Sequence, residues 1–487
     1  MTDIAYGDWE PVIGLEVHAQ LKTHSKLFAS DPNHFGDEPN TNISFVSTGQ
    51  PGSLPVLNAE AVRKAVQLGW ALGSSIALFS TFYRKSYFYP DSPRNYQITQ
   101  FDQPILKGGV IAVDVDGHRR HFSVDRAHLE DDAGMLKHFT QFAGVDFNRA
   151  GVPLIEIVFE PCMRSPKEAS ACASALRAIL QYLDISDGNM EEGSLRIDAN
   201  ISVKRTTESE LRPKVEIKNM NSFANMMLAL EAEIRRQIEA YERAPHLPHA
   251  EAIEQGTYRF DLGAKRTRLM RRKERAADYR YFPDPDLPPL LLTDAYIHEV
   301  KRTLPELPRE RLERYVTQYG LPMQSASVLV ENKALSDYFE SALQYSSHAK
   351  MLCNWVMVEW LGRLKEKGIL IEKSPVASKE IAELVNRIAE GKITGKMAKL
   401  IADELFENPQ KSVEAIIASN SDYQPLSDES VLETLVDGVL KDNPQSVADF
   451  KAGRSKAFAH LVGQVMKLCK GKASPELLNE IIKKKIL

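Results

Sequence analysis

Apolar and polar residues alternate along four stretches of this chain, and each stretch carries a carboxylate near its middle. Residues 13–22 and 195–204 are apolar at odd positions and mostly polar at even positions, and shorter stretches around residues 156 and 216 repeat the pattern. Successive side chains of a strand point to opposite faces, so this alternation predicts strands with one apolar and one polar face. The carboxylates concerned are Glu16, Glu156, Asp198 and Glu216.

Helix signals in the same part of the chain begin at two serines. Ser165 is followed by Pro166 and then by Glu168, which is the capping-box spacing with proline at the first helical position. A second helix is predicted to begin at about Ser222. The segment Pro283–Pro289 holds four prolines and cannot continue a helix or a central strand. We therefore expect the first domain, a mixture of strands and helices, to end there, at about residue 293.

From about residue 294 the pattern is helical to the end of the chain. A looser polar segment at Ser419–Ser430 is a candidate hinge. These features predict an α+β protein, in which a mixed or antiparallel sheet domain is followed by all-helical parts. The predicted helices include Asp294–Leu304, Pro308–Tyr319, Ser325–Glu331, Lys333–Leu343, Lys350–Lys367 and Ser378–Glu390.

Charge limits the classes of function. A net charge of −5 on 487 residues argues against a protein that lives on nucleic acid alone, because such proteins are usually basic. Any RNA contact should then be a local patch. Residues 451–487 carry nine Lys and Arg against two Glu, so this tail is locally about +7. Two interpretations have equal weight: a contact to an RNA backbone, or a solvated helical cap whose lysines do nothing specific.

The four cysteines are scattered, and none forms a Cys-x-x-Cys pair, so neither a zinc knuckle nor a disulfide framework is signalled. We expect buried free thiols in a reducing cytosol, and hence a cytoplasmic protein. Met1–Asp8 lacks a basic segment followed by an apolar run, so we expect no signal peptide. The most apolar window, Val66–Phe79, is interrupted by glycines and polar residues and cannot span a bilayer.

Carboxylates gathered on one face of a sheet repel one another unless a cation lies among them. All-oxygen ligands suit Mg²⁺ or Mn²⁺ better than zinc, so the pattern predicts a metal-dependent enzyme that handles phosphates. Glu16 and His18 share one strand face and are candidates to bind a metal together. A surface Glu–His pair is the alternative. Three adjacent acids such as Glu130–Asp132 are usually a solvated turn or a helix start, but Ala133-Gly134 follows them, which suits a turn that presents one carboxylate to a cation.

Phosphate-binding signals are weaker. Glu191-Glu192-Gly193-Ser194 would let backbone N–H groups approach a phosphate. The segment Arg84–Gln97 mixes cations with aromatic rings, a composition that holds phosphates or stacks bases such as the terminal adenosine of a tRNA. A proline-rich loop with buried rings is the alternative for this segment and for Asp278–Pro283. No Gly-x-x-x-x-Gly-Lys-Ser/Thr motif occurs, so any use of ATP would run through carboxylates and Mg²⁺ rather than a P-loop.

Five segments, in this order along the chain, carry a family resemblance: Val12–His18, residues 84–100, Met190–Arg196, Lys218–Ser222 and Asp278–Pro289. Together with Gly463–Lys467 near the end, they resemble the B subunit of the aspartyl/glutamyl-tRNA amidotransferase (GatB). The resemblance covers essentially the whole chain.

The resemblance implies a reaction and partners. Members of this family make Gln-tRNA(Gln) and Asn-tRNA(Asn) from mischarged Glu-tRNA(Gln) and Asp-tRNA(Asn). The B subunit uses ATP and Mg²⁺ to phosphorylate the side-chain carboxylate of the attached amino acid. The A subunit hydrolyses glutamine, and its ammonia travels through a channel and displaces the phosphate. A small C subunit wraps the heterotrimer.

The resemblance also implies residues and domains. The domains would be a cradle at 1–293, a helical domain at 294–410 and a YqeY-like tail at 411–487 that contacts the tRNA. Lys85, Tyr87 and Ser194 are weaker candidates for contacts to phosphate or to the acceptor end. The metal-binding and catalytic candidates fall into two groups: Glu16, Asp198 and Glu216 in one, and His18, Glu156 and an acid of the Glu130–Asp132 run, for which we take Glu130, in the other.

One departure concerns zinc. Many members carry four zinc-binding cysteines early in the chain, but Phe28–Gly52 has none, so we expect no zinc and a loop held by packing and by its prolines and glycines. Two rival functions stay open: a stand-alone ATP-dependent ligase that activates a free amino acid, and a non-catalytic RNA-binding protein.

Overall fold

The structure is a computed structural model, and it describes residues 6–272, 276–420, 423, 429–451, 454–469, 473 and 475–486. The chain forms two compact units, Met1–Pro308 and Arg309–Leu487. The first contains the sheet, and the second is helical in its described residues. The α+β prediction is confirmed. The finer division at residues 293 and 410 stays a prediction.

A thirteen-stranded sheet dominates the first unit, with the central order β15-β14-β13-β12-β1-β11-β8-β5-β4-β16. Neighbouring strands run antiparallel except β13 and β14, which are parallel, so the sheet is mixed. Two short two-stranded pairs, β9–β10 and β3–β17, lie outside it. The strands are β1 Trp9–Gln20, β2 Ser75–Ile76, β3 Phe79–Ser80, β4 Tyr83–Ser86, β5 Tyr96–Thr99, β6 Leu106–Lys107, β7 Val110–Val115, β8 His118–Asp131, β9 Met135–His138, β10 Ala143–Asp146, β11 Pro153–Phe159, β12 Leu195–Arg205, β13 Val215–Lys218, β14 Gly256–Asp261, β15 Arg266–Arg272, β16 Phe282–Pro283 and β17 Leu290–Leu291.

Two helices of the first unit, Pro166–Tyr182 and Phe223–Arg243, begin at the serines that the sequence predicts, whereas Ala59–Leu72 and His249–Ala252 are not among the predicted helices. The hydroxyl of Ser165 accepts from the backbone N–H of Glu168 at 3.1 Å, and Ser222 caps its helix in the same way. The Glu168 carboxylate bonds the backbone N–H of Arg164 rather than that of Ser165, so the capping box is only half formed. The helices are α1 Ala59–Leu72, α2 Pro166–Tyr182, α3 Phe223–Arg243, α4 His249–Ala252 and α5 Asp294–Lys301, with a 3₁₀ turn at Ala276–Tyr279.

The two faces of the sheet have different environments. The apolar side chains of β1 and β12 point into one core, where α2 packs on β1 and α3 packs on β12, and residues of α1 belong to the same core. Ile13, Leu15 and Ile201 are completely buried there. Because the side-chain period of a strand is two, the polar residues that alternate with them must face the other way. This second face, which we call the open face, lines the cavities described below.

The second unit is a helical array with two separate hydrophobic clusters, one up to Tyr423 and one from Leu432. The predicted helices between residues 308 and 390 are confirmed, and Trp355–Trp360 joins α9 to α10 as a π-helical segment. Within the described residues, no helix combines the length and hydropathy that crossing a bilayer requires. The helices are α6 Pro308–Thr317, α7 Met323–Glu331, α8 Lys333–Leu343, α9 Ala349–Asn354, α10 Leu361–Glu366, α11 Ser378–Ala389, α12 Gly395–Glu407, α13 Val413–Ser419, α14 Glu429–Asp442, α15 Pro444–Lys451, α16 Ser455–Leu468 and α17 Pro475–Ile486, with a 3₁₀ turn at Ile371–Lys373.

A buried ammonium group ties the cysteine-free loop to the sheet domain. The Lys26 side chain is completely buried, and its Nζ donates to the carbonyl oxygens of Asn42 at 2.6 Å and Phe147 at 3.3 Å. The nearest carboxylate oxygen belongs to Asp31, 3.8 Å away. Burial outweighs this attraction and lowers the pKa of Lys26 to about 8. The loop is therefore held by hydrogen bonds to a cation as well as by packing.

We predict that Lys26 makes stability depend on pH. An unfolded lysine titrates near pH ~10.4, so between about pH 8 and pH 10 the unfolded chain binds more protons than the folded chain. Stability from this group must therefore rise with pH across that window. We expect the free energy of unfolding of the wild type to rise relative to Lys26→Met over this range in urea titrations. The two proteins should differ by a constant amount at lower pH, and a constant difference throughout would contradict the prediction.

Candidate functional site

The open face brings one row of polar residues across four adjacent strands. Arg196 on β12 pairs with His18 on β1, His18 pairs with Glu156 on β11, and Glu156 pairs with His128 on β8. Paired residues of neighbouring strands have their side chains on the same face and in contact range. The strand register thus converts residues distant in sequence into one continuous polar row.

Glu156 is the centre of that row. Its Oε2 lies 3.3 Å from Nε2 of His18 and 3.3 Å from Nε2 of His128. Burial alone would raise the pKa of Glu156, but the two imidazoles outweigh it and hold the pKa well below its usual range. For His18 the effect of burial has the opposite sign: burial alone would lower its pKa, but the attraction of Glu156 outweighs burial and raises the pKa. Glu156 is therefore a half-buried carboxylate kept ionised by its neighbours.

Three side chains, two from this row and Glu130 beside it, have ligand atoms close enough together to hold a metal ion. One ligand atom each from His128, Glu130 and Glu156 lie within 4.8 Å of one another. The two carboxylate oxygens suit Mg²⁺ or Mn²⁺, whereas the imidazole nitrogen departs from the all-oxygen set that the sequence pattern implies and favours Mn²⁺ over Mg²⁺. His18 contacts the same Glu156 carboxylate from the neighbouring strand β1.

Within the acidic run, only Glu130 belongs to this group. Its Oε1 accepts from Gln97 at 3.0 Å, and its Oε2 lies 3.5 Å from the Lys85 ammonium. Asp131 points to the opposite side, where it pairs with Arg94 and accepts from the backbone N–H of Ile98.

Asp132 faces the cavity but is already engaged. One of its oxygens pairs with Arg196 at 2.9 Å, and the other accepts from Gln20 at 3.0 Å. Burial alone would raise the pKa of Asp132, but Arg196 and Arg149 lower it. Asp132 therefore fixes the Arg196 guanidinium at the end of the row.

A second acidic group lies one row along the same face. Glu16 and Asp198 are register partners on β1 and β12. The Lys218 ammonium lies between two carboxylates, 2.5 Å from Oδ2 of Asp198 and 3.1 Å from Oε1 of Glu216. Burial would lower the pKa of Lys218, but these carboxylates raise it. The Lys218 ammonium therefore offsets part of the repulsion between Asp198 and Glu216.

Polar neighbours orient the acids of the second group. Oε1 of Glu16 accepts from the Asn200 amide at 2.7 Å, and Oε2 of Glu216 accepts from the Thr257 hydroxyl at 2.8 Å. Both oxygens of Glu216 are therefore engaged, since its Oε1 lies beside Lys218. Among the residues that the structure describes, the ligand atoms of Glu16, Asp198 and Glu216 do not converge as closely as those of His128, Glu130 and Glu156, so a cation shared by these three acids stays a prediction.

Two adjoining cavities of about 680 and 620 Å³ share Lys85, Glu130 and Tyr279 in their walls. Of the acids of the second group, Asp198 lines a cavity, whereas Glu16 and Glu216 are not among the lining residues. The first cavity contains His128 and Glu156, and the second His18, Asp198 and Lys218. Cavities of this size accept a nucleotide-sized ligand. The Lys85 ammonium also lies 5.4 Å from the ring centroid of Tyr279. Positive charge, aromatic rings and acids therefore meet in one hollow.

The weaker candidates differ in position. Tyr87 lines the second cavity and stacks on Tyr89. Ser194 is buried within the turn before β12, where its hydroxyl bonds Asp187 and Asn189 rather than the cavity. As ligand contacts, Lys85, Tyr87 and Ser194 stay predictions.

Three polar residues of the site were missed in the sequence: His128, Arg196 and Lys218. Their signal was present, because each stands two positions from a candidate acid on the same strand. Basic residues beside acids look like an ordinary solvated face, which is why the pattern alone did not single them out.

Comparisons with known proteins agree along the whole chain. A family model described as the GatB/GatE catalytic domain matches residues 11–298, and one described as the GatB domain matches residues 337–486. The chain is 60% identical over 482 residues to the B subunit of the aspartyl/glutamyl-tRNA(Asn/Gln) amidotransferase of Protochlamydia amoebophila, covering 99% of this chain and 98% of that protein. It is 55% identical over 482 residues to the Chlamydia abortus protein of the same name, covering 99% of both.

We predict that Glu156 governs divalent-ion binding. Glu156→Gln keeps the shape but removes the charge between the two imidazoles, so affinity for Mn²⁺ should fall at least about tenfold in calorimetric titrations. Glu239→Gln removes an exposed acid of α3 that pairs with Arg243 and serves as the control. Equal affinities of wild type and Glu156→Gln would contradict this assignment.

Proposed function

The chain belongs to the GatB family of tRNA amidotransferase B subunits, and we propose that it amidates mischarged Glu-tRNA(Gln) and Asp-tRNA(Asn) as part of that enzyme. The supporting observation is similarity to amidotransferase B subunits over 99% of the chain. The activity is that of a carbon–nitrogen ligase with glutamine as the amido donor. The products would be Gln-tRNA(Gln) and Asn-tRNA(Asn).

The chemistry explains why such an enzyme needs an acidic, cation-lined hollow. A carboxylate is a poor acyl donor, whereas an acyl phosphate is a good one, so ATP would first phosphorylate the side chain of the attached Glu or Asp. Mg²⁺ would supply charge screening for the transferred phosphoryl group. Its proposed holders are Glu16, Asp198 and Glu216 in one group and His18, Glu130 and Glu156 in the other.

The chain's own cations have complementary roles in this proposal. Lys85 stands at the wall shared by the two cavities, and Lys218 stands at the second acidic group. Their ammonium groups would attract the polyphosphate and keep it beside the carboxylate to be activated. Tyr87 would contact the acceptor end from the wall of the second cavity.

Partners follow from the same proposal. The chain would need an amidase, the A subunit, which would release ammonia from glutamine, and a small C subunit, giving a heterotrimer. The exposed lysines Lys456, Lys467, Lys483 and Lys484 in the tail support a contact to the tRNA body. The cysteines are free, three of them buried, which supports a reducing compartment such as the cytoplasm.

Substitutions in the second acidic group test the proposal. In the complex with its A and C partners, Glu16→Gln and Asp198→Asn should lower amide formation about 100-fold or more, because each removes several kcal/mol of charge stabilisation. Binding of tRNA should persist. The readout is amidated aminoacyl-tRNA formed from mischarged tRNA, ATP and glutamine. Glu10→Gln is a matched control, since Glu10 lies on the same strand face but pairs with Arg164.

Each rival predicts a different outcome. Unchanged amide formation in both variants would overturn the catalytic role and favour an RNA-binding protein. Turnover of ATP by the isolated chain with free glutamate or aspartate would favour a stand-alone ligase.

A further inference from the structure

The open face ends in a row of arginines that the reaction itself does not use. The two strands at this edge, β14 and β15, carry Arg259, Arg266, Arg268 and Arg271, all exposed; we call them the arginine rim. Among the strands that the structure describes, only β14 flanks β15 in the sheet, so β15 is an edge strand. The strands that carry the rim and the strands that carry the second acidic group are consecutive neighbours in the sheet, in the order β15-β14-β13-β12-β1.

Strand register puts the rim on the open face. Thr257 bonds Glu216 there, and Thr257 pairs with Arg271. Lys218 pairs with Arg259, and Arg259 pairs with Arg268. Because paired residues share a face, the row continues from the acidic group through Lys218 to the rim.

The opposite face of these strands is already occupied by α3. The Thr267 hydroxyl donates to the buried Glu233 carboxylate at 2.6 Å, and the Arg236 guanidinium lies 4.7 Å from the Tyr258 ring centroid. The rim therefore has no packing role against the helix, and its side chains extend on the side of the cavities. Arg271 itself lines the second cavity.

The rim has more positive charge than its own two strands neutralise. Three of these guanidinium groups, those of Arg259, Arg266 and Arg268, share that face of β14 and β15 with one carboxylate of the same strands, Asp261, which pairs with Arg268 at 3.0 Å. Arg259 and Arg268 stand directly opposite each other, and like charges at such a pair destabilise a sheet. An arrangement that costs stability alone becomes favourable when a polyanion lies over it.

We propose that the arginine rim binds the phosphates of the single-stranded 3′ end of the tRNA and guides it from the sheet edge into the second cavity. The inference rests on the proposed function, because it takes the acidic groups as the place where the attached amino acid reacts. Guanidinium groups bind phosphate oxygens in a fixed fork, and a basic groove that tracks the backbone is how single strands are held. Arg271, at the cavity wall, marks where the strand enters.

Direct binding measurements test the rim without catalysis. The complex with its partner subunits is titrated with an uncharged tRNA transcript and with the same transcript lacking its 3′-terminal single strand, in the absence of ATP and glutamine. For the double variant Arg259→Gln/Arg268→Gln we expect affinity for the full transcript to fall on the order of tenfold, and the salt slope to decrease by about 1.4, or ~0.7 for each lost contact. The shortened transcript should bind wild type and variant equally.

Matched controls distinguish an effect of the rim on tRNA binding from an effect of net charge and from an effect on folding. Arg235→Gln/Arg243→Gln removes the same charge from exposed positions of α3 and should leave both affinities unchanged. The rim variant should melt close to wild type, since it removes an opposed pair of like charges and, with Arg268, only an exposed ion pair to Asp261.

Three outcomes would overturn the proposed role of the arginine rim. The first is an unchanged affinity for the full transcript. The second is a raised KM for ATP with unchanged tRNA affinity, which would assign the arginines to the nucleotide, and the third is aggregation with intact tRNA binding, which would make them edge protection only. Failure of the wild-type complex to form amide would instead overturn the proposed function, and the binding comparison would still judge the rim.

Discussion

Repulsion between carboxylates is the constraint that shapes this molecule. Acids on one partly buried sheet face cannot stay ionised together unless positive charge lies among them. Glu156 is held by two histidines, Glu130 by Lys85, Asp132 by Arg196, and Asp198 with Glu216 by Lys218. Each of these acids thus has a cationic or imidazole neighbour. A divalent ion would add to the same compensation of negative charge.

The period of the β-strand makes this arrangement compatible with folding. One face of β1, β11 and β12 is apolar and is covered by helices, so the polar row lies on a rigid base. The other face carries the charges and remains accessible to ligands. Along that face the charge changes from acids with paired cations at the centre to arginines at the edge. This order of charges suits a substrate whose anionic backbone lies over the arginines and whose reactive end lies among the acids.

Local patterns in the sequence predict part of this structure. The alternation in residues 13–22 and 195–204 is strong enough to predict two central strands, and the caps at Ser165 and Ser222 predict two helices. All six predicted metal-binding residues, five acids and one histidine, lie on the open face, although their metal-binding role stays a prediction. The choice of Glu130 within its acidic run depends on the pairing of β8 with β5 and β11, which no local pattern contains. The rim depends on the parallel pairing of β13 with β14, and Lys26 depends on contacts 16 and 121 residues away.

The central claim is that acids and imidazoles from distant segments share divalent ions on one face of the sheet. Crystals of the chain grown with Mn²⁺, measured at a wavelength where manganese scatters anomalously, test it most directly. The account predicts anomalous density among His128, Glu130 and Glu156, and beside Glu16, Asp198 and Glu216 with the Lys218 ammonium displaced. Manganese bound only at other surfaces, with the open face empty, would contradict it.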